Sequence, residues 1–225
     1  MVSSKEDERS LFVSGIVKNK DKYLFLVKNP EQWQQDENGR LRLPFGTVES
    51  RVARGETAES ALMREFKKEI GAEVKIVNSE TSHFIYNGQV DEMNMNARNN
   101  KPLFVYKEEK IEEDRRRFDY IYSFLTDAGK FDDIRPLNSN AVVLMNRDLL
   151  KKAAKGKLSV GELKLRGGRI ISEIELPEDA LLYPTPSSKG LYLCGRCHWQ
   201  TLKRRLSFCL FKSTLQALNC FGIEA

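Results

Sequence analysis

Apolar and polar positions alternate most cleanly over residues 118–126, where Phe118, Tyr120, Tyr122 and Phe124 fall on one face. A period of two predicts a β-strand. Residues 11–18 and 23–28 are apolar-rich and flank the polar turn Asn19-Lys20-Asp21-Lys22, so they predict a hairpin. Residues 74–77, 83–86 and 103–106 read as shorter strands, and residues 169–176 as a later one. Residues 29–42 and 87–100 are polar and read as loops; the second holds Asn94, Asn96, Asn99 and Asn100. Residues 146–154 predict a short helix closed by Gly156. Residues 199–218 predict another, with Leu202, Leu206, Leu210, Ala217 and Phe221 on one stripe and Phe208, Phe211, Leu215 and Leu218 widening it. A helix apolar over so much of its surface is expected to be buried.

The remaining helical pattern runs from Gly55 to Gly71, with an acidic first turn and a glycine stop. Glu65 and Glu69 lie four residues apart. That spacing puts both carboxylates on one helical face, about 6 Å apart at Cβ. Two acids held so close repel unless a positive charge sits beside them. A hard cation such as Mg²⁺ suits the pair, because it takes oxygen ligands shared between carboxylates and substrate phosphates. Arg64 adjoins the pair and can orient Glu56.

The segment resembles the Nudix box. Glu56, the seven residues Thr57 to Met63, Arg64-Glu65, apolar Phe66, Glu69 and Gly71 all fall on its pattern. Upstream, Leu43-Pro44-Phe45-Gly46-Thr47-Val48-Glu49 is similar to the family's leucine-proline-glycine-glycine loop. The resemblance spans roughly residues 10–155. It implies an α/β (α+β) fold, a mixed sheet flanked by helices, here with a C-terminal extension ending in a helix. It also implies hydrolysis of a diphosphate linkage in a nucleoside diphosphate derivative, with Mg²⁺ or Mn²⁺ held by Glu65, Glu69 and the Gly46 carbonyl, and Arg64 orienting the glutamates.

Four departures weigh against a direct transfer. Lys68 stands where the first acid of the Glu-Glu pair belongs, and Phe45 replaces the first glycine of the pair. Ser50-Arg51-Val52-Ala53-Arg54 stretches the spacing between Gly46 and Glu56 by four residues. The segment before the last strand, where many members carry a further acid, offers Asn138 and Asn140; Asp132 and Asp133 are the nearest carboxylates. Lys68 either neutralises a substrate phosphate or pairs with Glu65 or Glu69 and quenches the site. A second function therefore stays open: a weakened Nudix-like module that binds a nucleotide or RNA end without cleaving it.

Composition narrows the setting. The chain has 225 residues, 40% of them hydrophobic and 31% charged, as in a globular protein. No apolar run reaches membrane-span length, and the polar start is unlike a signal peptide, so a cytoplasmic location is the expectation. Residues 151–225 carry 13 Lys and Arg against 6 Asp and Glu (+7), while residues 1–150 carry 24 against 26 (−2). Residues 1–155 thus read as a Nudix-like domain and 156–225 as a basic extension packed on it. The basic part leaves room for a nucleic-acid partner, and the apolar helix for a homodimer. Arg115-Arg116-Arg117 is either a phosphate clamp or a solvated mixed-charge loop, with Arg116 the candidate contact. Phe45 either stacks on a base or packs inward. Cys194-Gly195-Arg196-Cys197-His198 matches the text of a c-type haem site, but that chemistry requires export. Zinc held with Cys209 and Cys220 is the weaker alternative to those two being small buried residues.

Overall fold

The computed structural model describes residues 8–95, 100–112, 115–129 and 134–195. The expected helix over residues 199–218, and Cys197, His198, Cys209 and Cys220, lie outside the described residues.

The predicted hairpin joins β1 (Glu8–Asn19) to β2 (Lys22–Val27), paired only at its closed end through Lys18–Tyr23 and Asn19–Lys22. The two strands then diverge. β1 runs parallel to β10 (Arg115–Asp127) from Glu8–Arg117 to Val17–Thr126. Its other edge takes β5 (Val48–Arg51), with Ser14 opposite Glu49. Beyond β10 follow β9 (Phe104–Glu112), β7 (Ser82–Tyr86) and β8 (Gln89–Met93), and β6 (Lys75–Val77) pairs the end of β10. β2 instead pairs with β11 (Ala141–Asn146), which carries β12 (Arg169–Ser172), and with β4 (Leu41–Gly46). β4 in turn holds β3 (Gln34–Gln35) and, in parallel, β13 (Leu181–Pro184). The result is a mixed sheet in two lobes that share the hairpin.

Helix α1 (Ala58–Ile70) covers one face. Thr57 caps it, its hydroxyl accepting from Ser60 N–H at 3.1 Å, and Gly71 ends it in a left-handed turn. Leu62, Phe66 and Ile70 bury against Val13, Val17, Leu24, Leu26, Phe124, Val142 and Leu144. Each such side chain contributes about 1.5–3 kcal/mol of transfer free energy. The opposite face takes α2 (Arg147–Ala153), α3 (Val160–Leu165) and a helix over residues 186–195. Leu149, Leu150, Leu163 and Leu191 pack there with Ile16, Phe25, Phe104, Ile121 and Met145. The described part of the extension is therefore continuous with the core: Leu158, Val160, Leu176, Ala180 and Leu182 all belong to it.

Three local expectations change. Residues 87–100 are not all loop: Asn87 (φ 50°) and Gly88 (φ 79°) make a turn with both central φ angles positive, and β8 returns from it. That turn type matches the twist of a hairpin. Residues 115–117, for which a loop was one reading, lie in β10 and pair with residues 110–112 of β9. Residues 181–184 form a strand and residues 186–195 a helix, where no element was expected. Among the described residues no helix is long and apolar enough to cross a membrane.

Candidate active site

The four-residue insertion after Gly46 is absorbed without disturbing the site. Val48–Arg51 extends along β1, and a tight turn from Ala53 to Glu56 (N–H to O, 3.0 Å) returns the chain to α1. Arg64 ties this turn down. Its guanidinium donates to both Glu56 oxygens, at 3.0 and 3.2 Å, to Glu65 Oε2 at 3.0 Å and to Ser50 Oγ at 2.9 Å. Hydrogen bonds from Arg64 foremost, then from the Ala53 amide, hold the Glu56 carboxyl below the usual range. Glu56 serves as Arg64's anchor and is not among the residues lining the cleft.

The cleft encloses about 130 Å³ and is lined by Leu26, Val27, Lys28, Asn29, Gln32, Glu49, Glu65, Glu69, Asn138 and Ser139. Lys68 lies over its acidic wall, with Nζ 3.0 Å from Glu65 Oε1 and 3.7 Å from Glu69 Oε1. Glu65 is only 8% exposed, and Arg64 and Lys68 take one oxygen each. Such double pairing is what makes burial of a carboxylate tolerable. Burial is the main influence raising the Glu69 carboxyl, Lys68 and Lys28 lower it, and Glu65 raises it. Lys28 is set by the Trp33 indole, which donates to its carbonyl at 2.8 Å. Where a further acid was sought, Asn138 donates to the Lys68 carbonyl at 3.0 Å and Leu137 N–H to that of Glu69 at 2.8 Å. That segment docks on the end of α1 and brings no carboxylate of its own to the cleft.

Two features bear on whether a divalent cation fits here. The Lys68 ammonium already stands in for a cation between Glu65 and Glu69. Ser139 Oγ, on the cleft wall, is buried without a hydrogen-bond partner among the described residues. The hard oxygen donors of Glu49, Glu65 and Glu69 suit one such ion shared with substrate oxygens. No group of three or more His, Cys, Asp or Glu is drawn together tightly enough to hold a metal by itself among the described residues.

A NUDIX domain model matches residues 9–157. The chain belongs to the Nudix family. Solved structures that align with this Nudix chain include the following three. The Escherichia coli ORF135 protein is 13% identical, over 65% of this chain and 80% of that one, with a TM-score of 0.40. A NUDIX-family hydrolase from Clostridium perfringens is 17% identical, over 64% and 85%, at 0.38. A MutT NUDIX hydrolase from Burkholderia pseudomallei is 14% identical, over 63% and 86%, at 0.33. At those scores the family rests on the domain match alone. No curated protein sequence matches the chain.

Two expected substrate contacts are corrected. Phe45 is fully buried and meets Phe25 edge-on at 5.2 Å between ring centroids, so it packs the core and presents no face to a base. Arg116 pairs with Glu109 at 3.6 Å, in line with a mixed-charge surface. It lies seven positions along β10 from Ser123, about 23 Å along the strand, and Ser123 is the residue that shares Ser14 as a partner with Glu49. Its neighbour Arg117 and Lys110 both bind the buried Asp119, at 3.0 and 2.7 Å. Gly46 is not on the cleft wall. It sits behind Glu49, where a Cβ would run into the Thr185 hydroxyl, and this close approach requires glycine. Cys194 is buried, between the core and a cavity of about 510 Å³ on the face away from α1. Sequence reading missed Lys28, Ser139 and Glu49. Glu49 was visible as an acid three residues after the loop glycine, but only β5 turns it toward the cleft.

Proposed function

We propose that this Nudix domain is a hydrolase dependent on Mg²⁺ or Mn²⁺, cleaving a diphosphate linkage in a nucleoside diphosphate derivative. One observation carries the reading: Glu49, Glu65 and Glu69 line a single cleft that also holds Lys28. A cation bound by those carboxylates would offset phosphate charge and acidify a water molecule. The chain's own residues do the rest. Arg64 fixes Glu65 Oε2, so that carboxylate cannot swing away from the cleft. Lys28 and Lys68 supply the positive charge that phosphate oxygens need, as point charges on flexible stems. Ser139 Oγ offers a hydroxyl donor at the same wall.

The second reading, a domain that binds a nucleotide or an RNA end without cleaving it, is favoured by Lys68, whose ammonium occupies the space between Glu65 and Glu69. The full chain incubated with nucleoside diphosphate sugars, dinucleoside polyphosphates and capped RNA, with Mg²⁺ or Mn²⁺, separates the two. Hydrolysis that is lost in Glu65→Gln supports the enzyme. Calorimetric binding with no turnover supports the second reading. Neither binding nor turnover for any compound refutes both.

A further inference from the structure

The C-terminal extension reaches the acidic cleft from behind. β13 runs parallel to β4 up to the Pro184–Phe45 pair, and the chain then turns into the helix over residues 186–195 directly under the Phe45-Gly46-Thr47 loop. Thr185 N–H donates to the Phe45 carbonyl at 2.8 Å, and Ser188 Oγ donates to the same oxygen at 2.9 Å. Ser187 is fully buried. Its hydroxyl donates to Glu49 Oε1 and accepts weakly from Thr47 N–H at 3.4 Å. Thr185 Oγ1 lies 3.4 Å from the same carboxylate oxygen and 3.3 Å from Ser187 Oγ. Both hydroxyl contacts to Glu49 go to Oε1. Oε2 has no hydrogen-bond partner among the described residues, and Glu49 lines the cleft with Glu65 and Glu69. The loop itself cannot drift, because Thr47 Oγ1 bonds buried Ser14 at 2.9 Å, and Ser14 bonds buried Ser123 at 3.1 Å.

Two hydroxyls on one oxygen of a carboxylate fix its plane and leave the other oxygen presented. A buried serine spends its only donor on one partner, and here that partner is Glu49. From this geometry we infer that Ser187, aided by Thr185, is a positioning residue that presents Glu49 Oε2 as the third oxygen donor of the cation site. This rests on the hydrolase reading above and adds that the site is incomplete without residues 185–187. The position left by Lys68, where the family has an acid, is thereby matched by an acid from β5 held by the extension. Outer partners of this kind orient metal-ligating carboxylates and typically affect metal affinity by about 10–100-fold.

The test is Mn²⁺ titration of the full chain, read by electron paramagnetic resonance of free Mn²⁺, for wild type, Ser187→Ala, Glu49→Gln and the double variant. Thermal melts of all four run alongside. The expected result is weaker Mn²⁺ binding by about tenfold in each single variant. The double variant should bind no more weakly than Glu49→Gln, because Ser187 acts through Glu49. Ser187→Thr, which keeps the hydroxyl, should recover part of the affinity. Additive losses, or losses that track the melting temperature alone, would reduce Ser187 to a packing role and overturn the inference. Wild-type binding that both single variants retain overturns it as well, while leaving the hydrolase reading intact. No Mn²⁺ binding by wild type overturns both.

Discussion

Lys68 is the residue whose replacement should change the cation site most. Its ammonium lies 3.0 Å from Glu65 and 3.7 Å from Glu69, so an incoming cation meets a positive charge at close to contact distance. The side chain is 54% exposed, which calls for a water-like dielectric rather than an interior one. At about 4 Å two unit charges then interact by about 1 kcal/mol, and a divalent ion doubles that to about 2 kcal/mol. Lys68→Gln removes the repulsion and leaves a shorter, neutral side chain. Mn²⁺ affinity should rise by about 30-fold, since each 1.4 kcal/mol is a factor of ten. Lys68→Glu reverses the charge and should raise it further, limited by repulsion among three acids. The gain should shrink in 1 M salt, where the screening length falls to about 3 Å. Calorimetric titration of wild type and both variants at low and high salt measures all of this. Affinity that is unchanged or lower in Lys68→Gln would refute the reasoning that Lys68 repels the cation.

Other outcomes follow from the packing. Thr57→Ala removes the α1 cap and should cost about 1 kcal/mol, lowering the melting temperature by about 2–4 °C in a domain of this size; a calorimetric scan with no shift would count against the cap. Arg116→Ala, distant from the cleft and paired with Glu109, should leave Mn²⁺ and nucleotide binding unchanged, and a loss of either would return Arg116 to the substrate. Truncation after Gly156 strips Leu158, Val160, Leu163, Leu182 and Leu191 from the core, so the shortened chain should be insoluble or melt far lower; a soluble, well-folded product would contradict that.

The sequence makes α1 legible because its signals are local and agree. Apolar residues recur with helical period, Thr57 and Gly71 mark both ends, and the helix spans Ala58–Ile70. The same helix carries Arg64, Glu65, Lys68 and Glu69, so two of the three cleft carboxylates are readable from one element. Residues whose roles arise from tertiary pairing are not. Phe45 occupies a glycine position in the pattern, and nothing nearby in sequence says that Phe25 waits for it. β13 is four residues long beside two prolines, and only its partner β4 makes it a strand. Asn87-Gly88 was a hairpin signal hidden in an asparagine-rich stretch. The pairing of Glu49 with Ser187 joins positions 138 residues apart, with no motif at the far end.

That separation has a consequence for the protein's synthesis. Glu49 leaves the ribosome long before Ser187 exists. At about 5–20 residues per second, the 138 intervening residues take about 7–28 s to make. Throughout that interval the side of β4 that will receive β13 is an open strand edge, flanked by apolar Leu43 and Phe45. Open edges of that kind recruit foreign strands. The nascent chain is therefore most exposed to misassembly while α1 is already made, and the last described elements both cover the edge and secure Glu49.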